Sequence, residues 1–397
     1  MTVEAAYTGE VMGAATGGRE RDATYLDNID LKLHLDAARL VRWPGALFFV
    51  YVLGNNGGIP SDRVGDLQGV SNIAAPEAVR LYEFWLQQNL AQGRVSVLAG
   101  LYDINTEFDV LQASGLFLNG SHGMGAEFGA SGRNGPSIFP TTSLGVRFKY
   151  RPRPGFYAGL VVLDGVPGEP DDPRSNGVTL GRGDGVLVVA EAAVLPGAAE
   201  RPQPIASRVA GRNRGRRIGR GQNLVRYDGK LAIGTWRYTG TFEDVGATLP
   251  GGAPLLRRGN FGVYALAEHK LWRGPDDERG VSGFVRIGAA DPAVNVVAGY
   301  AGAGVSWIGA FAARAEDEMG LAVAIAALGA PARRRAAIEG RPLGPRETSV
   351  ELSYRWQFHS AFALQPDLQY VVRPGGDPAL GNALVLGLRA EAAYKWQ

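Results

Sequence analysis

The sequence predicts an all-β chain closed into a transmembrane antiparallel β-barrel of about sixteen strands. Three observations carry this. Apolar and polar residues alternate along segments of roughly ten, the period of two that puts successive side chains on opposite faces of a strand. The polar face holds mid-strand charges beside Gly and Ser, which a water-filled interior tolerates and a sandwich core does not. The chain has 397 residues, too long for a typical soluble domain, whereas one barrel spanning 1–397 accommodates them.

Taken in chain order, the alternation marks strands near 2–12, 24–41, 45–54, 78–90, 94–103, 142–150, 155–164 and 183–195. It continues near 228–239, 260–272, 281–289, 294–308, 318–329, 346–357, 360–372 and 382–396. In the second strand Leu31, Leu33 and Leu35 oppose Lys32, His34 and Asp36. In 78–90, Tyr82, Phe84 and Leu86 read as lipid-facing, and Glu83, Trp85 and Gln87 as lumen-facing. That parity puts Arg80 outward unless a bulge precedes Leu81. In 142–150, Leu144, Val146, Phe148 and Tyr150 oppose Ser143, Gly145, Arg147 and Lys149. Near the C-terminus Val350, Leu352, Tyr354 and Trp356 oppose Ser349, Glu351, Ser353 and Arg355; the last strand sets Leu384, Leu386 and Leu388 against Val385, Gly387 and Arg389. Tyr150, Tyr354, Trp356, Tyr370, Tyr394 and Trp396 lie at strand ends, where interfacial girdles place aromatics. Links at Gln92–Gly93 and Arg151–Pro154 are tight, whereas 55–77, 104–141, 165–182 and 196–227 are long.

Composition narrows the function. The 41 basic and 39 acidic residues nearly cancel, which argues against a nucleic-acid partner. The cluster Arg208, Arg212, Arg214, Arg216, Arg217 and Arg220 reads as a solvated loop beside a channel. There is no Cys, so disulfides, thiolate metal sites and Cys nucleophiles are excluded. No apolar run approaches the roughly 20 residues of a spanning helix. Met1 to Gly18 lacks the basic start and apolar block of a signal peptide, so an exported chain would be a mature or recombinant form. His34, His122, His269 and His359 are dispersed, and no Gly-x-Ser-x-Gly elbow occurs. An enzyme is therefore not expected, nor a cofactor. Glu316-Asp317-Glu318 reads as a solvated turn more readily than as a divalent-cation site.

Several stretches together resemble the carbohydrate-selective porin family, OprB type. They are Gly65–Ile73, Arg80–Trp85, Ala99–Phe108, Leu116–Asn119, Pro140–Gly145, Tyr227–Lys230, Ala289–Pro292, Glu316–Ala322 and Leu364–Gly376. They run in order over nearly the whole chain. The resemblance implies a sixteen-stranded barrel of the bacterial outer membrane with an inward-folded constriction loop, passing small neutral sugars such as glucose into the periplasm. Outer-membrane lipid and lipopolysaccharide would surround it, as monomer or homotrimer. The chain departs from the pattern in ending Trp396-Gln397 rather than on an aromatic, and in the arginines of 196–227. A barrel for secretion or adhesion, with a partnered or plugged pore, is the alternative.

Sugar transit exchanges water hydrogen bonds for many shallow wall contacts, so Arg, carboxylates and aromatic faces are the residue types sought. Parity selects Arg147, Arg286, Arg355, Arg389, Glu351 and Glu391 as inward, with Glu83 and Trp85. The family motif adds Arg80. Asp103, Asn105 and Glu107 open the Gly-rich segment 104–141, the expected constriction loop. Asn105 and Asn119 could equally serve as backbone anchors of that loop.

Overall fold

The alternation becomes a closed cylinder in the computed structural model, which describes residues 1–175, 178–198, 228–276 and 279–396. The arginine cluster 208–220 lies outside these. The strands are β1 (Thr2–Thr16), β2 (Ala23–Asp36), β3 (Ala46–Gly57), β4 (Ala78–Leu90), β5 (Val95–Tyr102), β6 (Ser143–Arg153), β7 (Phe156–Asp164) and β8 (Val186–Val194). They continue as β9 (Gly229–Thr248), β10 (Pro254–Arg273), β11 (Gly280–Ala290), β12 (Val297–Ile308), β13 (Glu318–Leu328), β14 (Arg346–His359), β15 (Phe362–Val372) and β16 (Ala383–Trp396). Each pairs antiparallel with its chain neighbours, and β1 pairs β16 to close the barrel. Closure leaves no unpaired edge, which hydrocarbon requires because it offers no hydrogen bonds. Among the described residues no helix is long and apolar enough to cross a membrane.

The outer face is apolar: Ile29, Leu31, Val146, Leu231, Ile233, Val285, Leu321 and Leu386 are exposed. Trp272, Trp307, Trp356, Phe362, Tyr394 and Trp396, also exposed, gather at the end that carries both termini. That end has the tight connections 91–94, 154–155 and 360–361, and the opposite end has 58–77, 103–142, 165–185 and 329–345. The long connection 195–228 is an exception to the expected split, since it joins β8 to β9 at the terminal end; the other long connections lie at the opposite end, which in barrels of this kind is the exterior one. Asp27 lies on the outward register within the apolar face; it accepts from Tyr25 Oη (2.9 Å) and from Asn56 Nδ2 (2.9 Å), so it is not desolvated bare.

Three readings of the sequence need correction. The second strand stops at Asp36 rather than 41, because the Asp36 side chain accepts from Ala38 N and caps the short helix α1 (Ala37–Val41). Two further short helices follow, α2 (Pro60–Val64) and α3 (Ala126–Gly129), and then α4 (Ala330–Ile338) in the connection after β13. β9 and β10 run to 20 residues each, far beyond 228–239 and 260–272. Their distal halves read polar because they project past the apolar belt. The third correction is in β4. Tyr51 pairs with Glu83 but Val52 pairs with Leu81, so Tyr82 is an extra residue in the strand. Tyr82 consequently turns inward with Glu83 instead of facing lipid, and Arg80 also becomes inward and buried.

The interior is not uniformly wet. Phe108, Leu111, Phe117 and Phe128 of the β5–β6 connection pack with Trp236, Tyr238, Tyr264 and Phe284 on the walls. Rings of this size each bury 150–250 Å², stabilising by about 4–6 kcal/mol apiece. Glycine makes room for them. A Cβ on Gly234 would sit 2.1 Å from the Tyr264 ring, and one on Gly262 would sit 2.4 Å from the Trp236 ring.

Candidate pore site

Residues 103–142 leave β5 and are pinned at once. Asp103 accepts from Asn105 N (2.8 Å) and Tyr82 Oη (2.6 Å), and Glu83 accepts from Asp103 N (3.3 Å) and Trp85 Nε1 (3.1 Å). Asn105 Nδ2 donates to the carbonyls of Phe108 (3.3 Å) and Gly123 (3.0 Å), so its role is the backbone anchor. Glu107 pairs with Arg147 (2.8 Å) and Lys149 (3.4 Å) on β6.

The segment then bonds to inward side chains of distant strands. Asp109 N donates to Glu191 (2.9 Å) on β8, and Ala113 N to Glu268 (2.8 Å) on β10. Arg286 on β11 pairs with the Asp109 carboxylate (3.0 Å) and donates to the carbonyls of Ser121 (2.9 Å), Asp109 (2.8 Å) and Gly123 (3.1 Å). Glu351 on β14 accepts from Leu118 N (2.5 Å) and Asn119 N (3.1 Å). On β15, Gln365 Nε2 donates to Leu116 O (2.7 Å) and Gln369 Oε1 accepts from Asn119 Nδ2 (3.2 Å). The connection after β3 binds the same side of the barrel: Glu347 accepts from Leu67 N (2.8 Å), and Arg389 donates to Asn72 Oδ1 (2.8 Å). Burial pushes the Asp109 carboxyl up to about 6 although Arg286 beside it pulls the other way. Burial pushes His122 down to about 3, so its 3.7 Å approach to Glu351 is a contact of a neutral imidazole, not an ion pair.

These two connections therefore seat on the walls from β8 round to β16. The wall of β2–β5 is different. It carries an aromatic series, with Phe49 centred 4.9 Å from Trp85 and Tyr51 centred 4.9 Å from Tyr82. Lys32 Nζ lies 4.3 Å from the Tyr51 ring, Tyr51 Oη donates to Asp30, and Asp103 and Glu83 adjoin.

The twelve residues singled out from sequence fall into separate groups. Glu83, Trp85 and Asp103 come together on the β2–β5 wall, and Glu107 with Arg147 on the next. Arg286, Glu351 and Asn105 hold loop backbone. Arg355 pairs with Glu391 (2.7 Å) near the terminal end, and Arg389 pairs with Glu10. Arg80 stands apart, donating to Asn55 Oδ1 (3.2 Å) and to the Pro173 carbonyl of the β7–β8 connection. Sequence reasoning missed Tyr51, Tyr82, Phe49, Lys32 and Glu347. Tyr82 was hidden by the bulge, and Phe49 and Tyr51 by the continuous apolar run Ala46–Leu53; Lys32 was legible from parity. Asp317 of the acidic turn 316–318 accepts from Gln357 N (3.0 Å) and from Tyr354. Among the described residues no group of three or more His, Cys, Asp or Glu is placed to hold a metal ion.

Of this wall's rings and charges Trp85 is partly exposed, while Phe49, Tyr51, Tyr82, Lys32, Glu83 and Asp103 are buried. Comparison with known proteins places the whole chain. Residues 20–394 match the family model described as carbohydrate-selective porin, OprB family. Porin B of Pseudomonas aeruginosa is 24% identical over 421 residues, covering 98% of this chain and 86% of its own length. The high-pH structure of Pseudomonas putida OprB superimposes with a TM-score of 0.82 at 23% identity, covering 99% of this chain and 94% of that one. The outer membrane channel DcaP of Acinetobacter baumannii shares the fold more distantly, with a TM-score of 0.55 at 9% identity over 99% of this chain and 96% of its own.

Proposed function

The chain belongs to the carbohydrate-selective porin, OprB family, and from that premise we propose that it passes monosaccharides such as glucose along the β2–β5 wall. It is a sugar porin of the bacterial outer membrane. Its role is passive diffusion rather than catalysis. The observation that carries the finer reading is the Phe49–Trp85 pair, flanked by Glu83, Asp103 and Lys32. A pyranose presents an apolar face to the rings and hydroxyls to the charges, and several weak contacts let it leave again. Segment 103–142 acts as the constriction, with Arg286 and Glu351 as its moorings rather than as sugar ligands. Arg80, Glu107, Arg147, Arg355, Arg389 and Glu391 line the remaining path. The apolar belt contacts outer-membrane lipid, with lipopolysaccharide in the outer leaflet.

Glucose should interrupt the single-channel current of wild-type protein in planar bilayers. Replacing Trp85 by Ala should weaken that block roughly 3–10-fold, the ~1 kcal/mol of one aromatic contact. Trp356→Ala, on the outer belt, should leave it unchanged. Equal block in wild type and Trp85→Ala removes the aromatic pair from the path; no block by any sugar in wild type sinks the reading.

A further inference from the structure

The outer mouth holds a helix that the sugar path does not use. α4 (Ala330–Ile338) follows Gly329, whose N–H donates to Val296 O (2.9 Å) in the β11–β12 turn. That turn is folded inward: Val294 packs against the interior aromatic cluster and Asn295 Nδ2 donates to Asn260 Oδ1 (2.7 Å), an inward residue of β10. α4 lies across it toward the projecting end of β9, where a Cβ on Gly246 would sit 2.7 Å from Pro331. The helix is thus seated at the mouth rather than on the lipid belt. Its connection, 329–345, carries Arg333, Arg334, Arg335 and Arg341 against the single Glu339. Glu339 is taken by Arg335 (2.8 Å) and Arg341 (2.8 Å). Arg334 is exposed and Arg333 half-buried, and among the described residues neither meets a carboxylate. Acids also lie on the connections at this end, among them Asp291 in the β11–β12 turn, which accepts from Ala293 N (2.9 Å), and Glu169, Asp171 and Asp172 on the β7–β8 connection.

We infer that Arg333 and Arg334 form an anion-capturing site at the outer mouth, which extends the solutes of this porin to sugars bearing a carboxylate. This rests on the sugar-porin reading and deepens it. Guanidinium groups recognise carboxylates by paired hydrogen bonds, and a charged mouth raises the local concentration of the opposite charge. Neutral sugars gain nothing from it.

The test compares block of single-channel current by glucuronate and by glucose, in neutral phosphatidylcholine bilayers at about 0.1 M salt, where charge acts over roughly 10 Å. In Arg333→Gln/Arg334→Gln protein the association rate of glucuronate should fall at least about threefold. The glucose rate should stay the same, and the glucuronate difference should vanish at about 1 M salt, where screening shortens to roughly 3 Å. Charge reversal with Arg333→Glu/Arg334→Glu should slow glucuronate further. An unchanged glucuronate rate in both variants, or an equal loss for both solutes, overturns the anion site. Absence of glucose block in wild type would instead indict the underlying sugar-porin reading.

Discussion

Replacing Arg286 by Ala is expected to unmoor segment 103–142 and raise single-channel conductance at least about twofold, with loss of sugar block. The guanidinium neutralises the fully buried Asp109 carboxylate and satisfies three loop carbonyls. Removing one partner of such a pair costs about 3–5 kcal/mol, which shifts docking by roughly two to nearly four orders of magnitude. The barrel itself should persist, because its strand ladders do not involve Arg286's side chain, and retained heat-modifiable migration on gels checks this. The defect should depend on pH in a defined direction. Asp109 already lies above the ordinary carboxylate range, at about 6, with burial as the main cause. A carboxyl raised on docking favours the docked state when protonated, and that contribution is lost as pH rises through its docked value. Without Arg286 the value moves higher still, so conductance of Arg286→Ala should return toward wild type near pH 5. A wild-type conductance at pH 7.5, or a defect indifferent to pH, would contradict this mooring.

Gly262→Val is expected to be the most damaging change of a residue that touches no solute. The added carbon atoms would meet the Trp236 ring at 2.4 Å and the Ala289 carbonyl at 2.7 Å. Trp236 would leave the wall and its stack on Phe128, whose ring centroid is 5.0 Å away and nearly parallel at 7°. Displacing a buried ring of this size costs about 3–5 kcal/mol. The midpoint of thermal unfolding on gels should fall clearly, and pairing with Trp236→Ala, which vacates the space, should recover part of the loss. A midpoint equal to wild type would mean that the ring has room that the backbone positions deny.

How far the sequence could be read depended on where water lies. β14, β15 and β16 alternate cleanly because their inner faces hold Glu351, Gln365, Asp367, Gln369 and Arg389. β7 to β12 were legible as strands but not as walls of a packed interior, since Val161, Val189, Ala232 and Phe284 are apolar on the inner face too. Parity failed in β4 because one extra residue reverses every side chain before it. The site was less legible than the barrel. Glu351 was found as inward, but its partners at Leu118 and Asn119 lie more than 200 positions earlier, and no local period encodes such a meeting. The glycines of 104–141 allow an inward path without dictating which carboxylates receive it.

The mooring of that segment also bears on the order of assembly. Residues 109–123 precede in the chain every strand that fixes them, from Glu191 of β8 to Gln369 of β15. Their full set of partners does not exist until the strands through β15 are in place, so they are expected to settle late. A nascent barrel would accordingly pass through a wide-bore stage, and time-resolved conductance during refolding into vesicles should start high and decay as the segment finds its seat.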